Sequence, residues 1–171
     1  LGQKALKIPL SYDFAEINQA MKELADALHL VQLDTWAMKA ESENALRQGA
    51  AELDNMPIAI DDTATSRPFG LAKLLCEYGF RVITIYADTC SPPDLAALEW
   101  LKENAGDIEW KFPFHHKMAL LPRTASAENG ELLAIGQVAA YFTGTKHFVN
   151  IVESDGLYGY HGICTLMELI R

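Results

Sequence analysis

The sequence predicts an α/β protein with a Rossmann-like, doubly wound and mainly parallel sheet of about five strands, preceded by an N-terminal helical arm. From residue 56 onward, short runs rich in β-branched residues alternate with helical stretches, which is typical of strands joined by crossover helices. Before residue 56, apolar residues recur at intervals of three and four, as they do on one face of a helix. Half of the 171 residues are hydrophobic, which is enough to bury a core. We therefore divide the chain into an arm, 1–55, and an α/β domain, 56–171.

The arm is predicted to contain two helices after an opening segment, KALKIPL, that forms a short strand or an extended stretch. Asp13 and Glu16 have capping-box spacing at the start of the first helix. Its apolar stripe consists of Phe14, Ile17, Met21, Leu24 and Leu28. The second helix, from about Asp34 to Leu53, has a weaker stripe through Trp36, Ala40, Leu46 and Leu53.

In the α/β domain the predicted strands are 56–60, 81–87, 108–112, 131–136 and 147–152, with helices near 66–78, 92–104, from 137, and at the end of the chain. Gly79 suits the left-handed position that closes the first of these helices. Ser91 as cap, Pro92 in the first turn and Asp94 start the second. Residues 112–130 are predicted to be mostly loop.

Composition excludes several functions. The 14 basic and 23 acidic residues give a formal charge of −9, and no basic cluster suggests a nucleic-acid or anionic-membrane partner. No apolar run approaches the roughly 18 residues of a membrane span, and no signal peptide is visible. A chain starting at Leu1 and stopping at Arg171 inside a predicted helix is expected to be a piece of a longer protein, which we expect to be cytoplasmic.

The three cysteines, Cys76, Cys90 and Cys164, are widely spaced and form no CxxC pair, so no metal site within the chain is expected. Cys90 precedes a helix start, where a helix dipole would stabilise its thiolate. His115 and His116 are adjacent, and in an extended segment they would point to opposite faces and share no metal.

In open sheets of this type, ligands bind outside the carboxyl ends of the strands where the strand order reverses. This rule selects the loops 61–67, 136–137 and 153–161. The first puts hydroxyl groups and Arg67 at the N-terminus of a helix, here called its mouth, where an anion is favoured, unless Thr65 or Ser66 simply caps the helix. Gly136 allows the backbone to approach a ligand, although tight packing of strand and helix explains it equally well. Neither GxGxxG nor a Walker loop is present, so a nucleotide site has no support.

The candidate cofactor-binding residues in these loops are Thr63, Thr65, Ser66, Arg67, Gly136, Gln137, Gly156, Tyr158 and Tyr160. No catalytic residue is assigned, and His161 and Asp155 are weak candidates, since Asp155 and Gly156 also make an ordinary turn. We expect replacement of Arg67 or His161 by alanine to reduce activity of the full-length protein more than stability.

The order of these segments resembles the C-terminal portion of nitrogenase component 1 type proteins. The resemblance rests on the MKELADAL helix, the segment GLAKLLCEYGFRVITIYAD, the strand ending in IGQ and the closing DGLYGYHGICTLMELI. The family includes nitrogenase molybdenum–iron protein subunits, cofactor-assembly scaffolds and protochlorophyllide reductases. The resemblance implies a homologous second subunit, an ATP-dependent iron–sulfur reductase partner and an iron–sulfur cluster held by an upstream domain, with no cofactor ligated by this segment.

Two departures from nitrogenase are visible in the sequence. No histidine lies at Val149 to Ile151, near which nitrogenase places a cofactor-binding histidine, and residues 61–67 lack the glycine pair and arginine arrangement that cradles that cofactor. The resemblance therefore implies a nitrogenase-like protein with another substrate, whose segment forms one wall of a substrate or metallocluster cavity. The alternatives are a non-catalytic metal-chelate or cofactor-scaffold binding domain and, less well supported, half of a UDP-sugar glycosyltransferase.

Overall fold

The computed structural model describes residues 5–31, 34–120 and 131–171. In chain order the elements are α1 (Phe14–Ala27), α2 (Thr35–Leu53), β1 (Pro57–Asp61), α3 (Pro68–Glu77), β2 (Arg81–Tyr86), α4 (Leu95–Asn104), β3 (Glu109–Lys111), β4 (Leu133–Ile135), α5 (Gln137–Thr143), β5 (His147–Val149) and α6 (Gly159–Ile170). Lys4 of the opening segment and residues 121–130 of the predicted loop lie outside the described residues. Residues 5–10 form neither helix nor strand.

Within the described residues, the strands form a five-stranded sheet in the order β3-β2-β1-β4-β5, and every neighbouring pair is parallel. From the central β1 the chain winds outward through β2 to β3, and then returns to β4 and winds the other way to β5. The strand order thus reverses between β1 and β4, and a crevice at the carboxyl ends of these strands is the usual ligand position. The predicted fold class is confirmed.

Alternate strand residues enter two separate cores. Ile58, Ile60 and Ile135 belong to the large core, which also contains buried residues of α3, α4, α6 and the arm. Ala59 and Ala134 face the other way, into a small core formed mainly with α5. The two faces of the sheet are therefore covered by helices to very different depths.

The start of α1 confirms Asp13 as its cap. The Asp13 Oδ1 atom accepts hydrogen bonds from the backbone N–H groups of Ala15 at 2.8 Å and Glu16 at 3.2 Å. The second half of the predicted capping box is wrong, because the Asp13 N–H donates to Ser11 Oγ instead of to Glu16. The carboxylate of Glu16 turns toward Ser11 and Arg67.

Helix α2 packs along α6, but on a face displaced from the predicted stripe. Leu46 is fully buried, whereas Trp36 is 75% exposed. Small residues make the contact: Ser42 Oγ donates to the Tyr160 carbonyl at 2.8 Å, and a Cβ on Gly49 would lie 3.0 Å from Met167 Sδ. The close approach of α2 to α6 determines which face of α2 is buried. The period of the hydrophobic residues gives no indication of such close approach. The domain boundary at residue 55 stays a prediction, since arm and sheet share the large core.

Among the helices of the α/β domain, one predicted helix end is confirmed and one predicted helix start is wrong. Gly79 has φ +87°, and the N–H groups of Gly79 and Phe80 donate to the carbonyls of Cys76 and Leu75, which closes α3 as predicted. The single helix predicted for 92–104 is instead a 3₁₀ turn, Pro92–Asp94, followed by α4, and Ser91 makes no side-chain cap. Each helix among the described residues is either too short or too polar to span a membrane.

Candidate functional site

The mouth of α5 is filled by a carboxylate of the protein itself. Asp61, the fully buried last residue of β1, accepts hydrogen bonds from the N–H of Ala139 at 2.6 Å and of Ala64 at 2.8 Å. It also accepts from the N–H and hydroxyl of Thr63, at 2.9 and 2.6 Å. Gly136 has φ +106°, and a Cβ there would overlap the Asp61 carboxylate. The glycine therefore makes room for Asp61 at the position where an anionic ligand would otherwise meet the helix dipole.

The mouth of α3 is filled in the same way by Asp94. Its carboxylate accepts from the N–H groups of Phe69 and Gly70, each at 2.9 Å, although it lies more than 20 residues away in sequence. Neither Thr65 nor Ser66 caps the helix, so that prediction is wrong. The sequence predicts Asp94 at the start of the next helix, and the structure adds that the 3₁₀ turn directs its carboxylate toward α3. Burial raises the pKa of Asp94, and the hydrogen bond from Phe69 and the charge of Arg67 only partly offset it.

Arg67 is a buried junction between the arm and the α/β domain. Its guanidinium donates to the carbonyls of Leu10 at 3.0 Å and Pro93 at 2.7 Å, and to the carboxylates of Glu16 at 2.7 Å and Asp94 at 3.3 Å. Burial would lower its pKa, but the hydrogen bond and charge of Glu16 and the charge of Asp94 outweigh burial and raise it. With its donors directed at protein groups, Arg67 holds the arm across the carboxyl edge of the sheet.

The loops that follow β1 and β5 are joined to each other. The N–H groups of Glu153 and Ser154 donate to the carbonyls of Thr63 at 2.8 Å and Ala64 at 2.6 Å. Below them, the buried hydroxyl of Thr65 accepts from Ser154 Oγ and Tyr12 Oη, both at 3.0 Å. Burial raises the pKa of Tyr12. The predicted convergence of these loops is therefore present, and polar groups hold it together.

The loop after β5 has an unusual backbone. Glu153, Ser154 and Asp155 have φ of 51°, 68° and 38°, and Gly156 continues at 78°. Non-glycine residues avoid this left-handed region, and such conformations cluster at functional sites where the surroundings hold them in place. Here the hydrogen bonds of Ser154 provide that restraint.

Several predicted residues lie on the exposed rim of this edge. These are Ser66, Gln137, Asp155, Gly156, Tyr158 and His161. Gln137 Nε2 donates to Asn150 Oδ1 at 2.9 Å, and α6 begins after Tyr158 without a side-chain cap. The rim thus presents an imidazole, a phenol and a carboxylate to solvent beside the start of α6, whose first N–H, that of Gly159, donates to the Ser11 carbonyl at 3.2 Å.

Tyr160 is turned away from this rim. It is buried, and its ring stacks on that of Phe14 with centroids 5.7 Å apart. Among the residues that sequence reasoning missed, Asp61 is the most important. Its position directly after an apolar strand could have indicated a buried role. An aspartate at the end of a strand is, however, equally typical of an exposed turn.

The histidine and cysteine predictions need two corrections. The rings of His115 and His116 lie with centroids 4.3 Å apart, because the segment turns instead of extending, so they do not point to opposite faces. Burial and the charge of Asp94 raise the pKa of Cys90. The prediction that a helix dipole stabilises its thiolate is therefore wrong. In residues 5–31, 34–120 and 131–171 no group of three or more His, Cys, Asp or Glu side chains is placed to hold a metal.

The geometry defines a doubly wound parallel α/β fold whose loops meet at the strand-order reversal. A solved structure described as nitrogenase Cp1 at pH 6.5 has a similar fold, with a TM-score of 0.64 and 16% sequence identity over 98% of this chain. The chain spans 38% of the length of that structure. No protein-family model matches the sequence. No curated protein matches it either.

Proposed function

We propose that this chain is an α/β segment of a nitrogenase-like, component 1 type oxidoreductase and contributes one wall of a substrate or metallocluster cavity. The observation that carries the proposal is the fold similarity to nitrogenase Cp1 across 98% of the chain. The strand-order reversal and the joined loops after β1 and β5 support the proposal, because folds of this type bind ligands at that edge of the sheet.

The parent protein would supply the electron-transfer groups. Cys76, Cys90 and Cys164 lie on separate elements, and the described residues offer no ligand set for a cluster. We therefore assign iron–sulfur clusters to other parts of a longer, cytoplasmic protein, with a homologous second subunit and an ATP-dependent reductase as partners. No chemical step is assigned through a cluster in this chain.

This chain's own contribution is the exposed rim around the start of α6. His161 presents an exposed imidazole that can donate or accept a hydrogen bond, and Tyr158 and Gln137 can donate hydrogen bonds to a ligand. Asp61 and Asp94 occupy the two helix mouths beside the rim, so a phosphate group would find neither mouth open. These features support a wall that orients a non-nucleotide ligand.

Replacement of His161 tests the proposal in the full-length parent protein, purified without oxygen together with its reductase. We expect His161→Ala to lower reductase-dependent substrate reduction by about 100-fold, the lower end of the range for loss of general acid–base assistance. The unfolding midpoint should stay unchanged because the side chain is exposed. His115→Ala removes an exposed histidine from a different segment and is the matched control, expected to retain activity.

Arg67→Ala no longer serves this test, because its buried contacts make loss of stability the first expected effect. Iron and sulfide analysis of the same preparation decides the class of protein. An absence of cluster iron in the full-length protein would reject the oxidoreductase proposal. A stable cluster with no reductase-dependent turnover would support the scaffold alternative instead.

A further inference from the structure

The arm meets the rim of the candidate site through a short segment before α1. Residues 10–12, which we call the strap, form neither helix nor strand and are buried or half-buried. The Leu10 carbonyl accepts from the Arg67 guanidinium at 3.0 Å. The Ser11 carbonyl accepts from the N–H of Gly159, the first residue of α6, at 3.2 Å. The strap is therefore anchored at Arg67 and lies against the start of α6, where the rim is.

The last residue of the strap, Tyr12, belongs to a buried cluster of hydroxyl groups. Its hydroxyl and that of Ser154 both donate to Thr65 Oγ1 at 3.0 Å. The three side chains come from the arm, the loop after β1 and the loop after β5, and each residue is at most 3% exposed. Burial raises the pKa of Tyr12, and hydrogen bonds from Thr65 and Ser154 offset part of this rise. In a buried network of this kind, the loss of one member weakens the contacts of the others.

The cluster holds a loop whose backbone conformation depends on its contacts. Residues 153–156, which we call the rim loop, have φ between 38° and 78°, and only the last of them is a glycine. Non-glycine residues adopt this left-handed region at a cost in energy, so the surrounding structure must hold them there. Two restraints are the hydrogen bonds from the rim loop to the Thr63 and Ala64 carbonyls, and the third is the side chain of Ser154. Asp155 and Gly156 of this loop form part of the exposed rim.

From these contacts we infer that the strap controls the conformation of the rim loop. While the strap is docked, the hydroxyl cluster holds the rim loop in its left-handed conformation, and when the strap leaves, the loop relaxes. Tyr12 is then a positioning residue that acts on the rim through Thr65 and Ser154. The coupling is reciprocal, so a ligand that prefers the held rim loop would also hold the arm more tightly. The inference does not depend on the oxidoreductase proposal, because it concerns the conformation of this chain alone.

Tyr12→Phe tests the inference in the 171-residue chain, because it removes the hydroxyl group and keeps the ring that packs in the large core. Amide hydrogen exchange at Glu153 and Ser154 should rise about fivefold, the effect of one lost buried hydrogen bond on an opening that breaks it. The strong intraresidue NOE between the amide and Hα protons, which a positive φ produces, should weaken at Glu153. Unchanged exchange in the rim loop would show that the loop opens without the strap and would overturn the inference.

Thr143→Val is the matched control. It removes a buried hydroxyl group of α5 that donates to the Ala139 carbonyl at 2.6 Å, on the other side of the sheet from the arm. This variant should lower the free energy of unfolding but leave exchange in the rim loop unchanged, because opening of the loop does not break that bond. An equal rise in both variants would mean that the rim loop opens only by unfolding of the whole chain, which contradicts a separate strap.

Ser154→Ala tests the coupling from the opposite end. It should raise amide exchange at Asp13, whose N–H donates to Ser11 Oγ, about as much as Tyr12→Phe raises exchange at Glu153. In the Ser154→Ala background, Tyr12→Phe should have little further effect on the rim loop, because the link through which it acts is gone. If the two effects on the rim loop multiply instead, Tyr12 and Ser154 act separately and the inference is wrong. Circular dichroism of each variant verifies that the fold is retained.

Discussion

The mouths of α3 and α5 differ from the mouth of α6, although all three open at the same edge of the sheet. Asp94 caps α3 and Asp61 caps α5, each from a distant part of the sequence and each buried. Helix α6 has no side-chain cap, and His161 in its first turn is exposed. Buried carboxylates therefore occupy the first two mouths, whereas exposed side chains flank the third.

The difference shows how one fold rule is met in two ways. Helix N-termini at the carboxyl edge of a parallel sheet attract anions, and many proteins of this architecture place a ligand phosphate there. Here two buried carboxylates take that place and link strands, helices and arm. The rim near α6 carries exposed polar side chains instead, so function and stability should separate between these regions.

Replacement of Asp61 should give the largest effect. Asp61→Ala leaves the N–H of Ala139 and the groups of Thr63 and Ala64 without their acceptor, and we expect a loss of about 3 kcal/mol in the free energy of unfolding. Urea denaturation measures it. Asp155→Asn, at an exposed position of the loop before α6, keeps a residue type that tolerates the left-handed φ of 38° and should change stability by less than about 0.5 kcal/mol.

A rescue experiment sharpens this prediction. The atoms removed in Asp61→Ala correspond to formate, so formate at high concentration should raise the thermal midpoint of the variant, and chloride at equal ionic strength should not. Equal stability of the Asp61 and Asp155 variants would remove the distinction between closed and open mouths.

Replacement of Arg67 should give the next largest effect. Arg67→Met leaves Asp94 buried without its cationic partner and releases Glu16, and we expect a loss of about 2–4 kcal/mol. Amide exchange in α1 should rise more than exchange in β1, because Arg67 holds the arm. Arg47→Met, which breaks an exposed pair with Glu43, is the control and should cost less than about 0.5 kcal/mol. An equal rise in amide exchange across the whole chain would show that Arg67 does not specifically hold the arm against the sheet.

The smallest expected effect concerns acid pH. Burial would raise the pKa of Glu16, but hydrogen bonds from Ser11 and Arg67 and the charge of Arg67 lower it in the folded state. Stability from Glu16 is therefore present above its unfolded pKa of about 4.3 and is lost as pH falls through the lower folded pKa. The raised pKa of Asp94 has the opposite effect on stability. The contribution of Asp94 to the free energy of unfolding falls as pH rises through its folded pKa.

Glu16→Gln isolates the first contribution. Between about pH 5 and 3, the variant should lose less stability than the parent sequence, by under about 1 kcal/mol because the Glu16 side chain is 46% exposed. Thermal unfolding across this range measures the difference. Glu99→Gln, at an exposed position of α4, should follow the parent curve, and a Glu16→Gln curve that also does so would exclude a contribution from this pair.

Much of the fold was predictable because its signals are local. The cap of α1 by Asp13 and the closure of α3 at Gly79 depend on backbone groups within a few residues. The alternation of strands and helices after residue 56 depends on the period of the apolar residues. The strand ends then located the converging loops, since parallel strands bring their carboxyl ends to one edge.

The sequence by itself thus determined the fold class, most element positions and the edge where the loops meet. Only the tertiary structure decided which groups fill the helix mouths, since Asp61 and Ala139 are 78 residues apart and Asp94 and Phe69 are 25 apart. The same holds for the α2 face, where the small residues Ser42 and Gly49 join Leu46 and allow α6 to approach closely. Local patterns record what a residue prefers, whereas a buried carboxylate or a small contact residue is explained by the distant group that it meets.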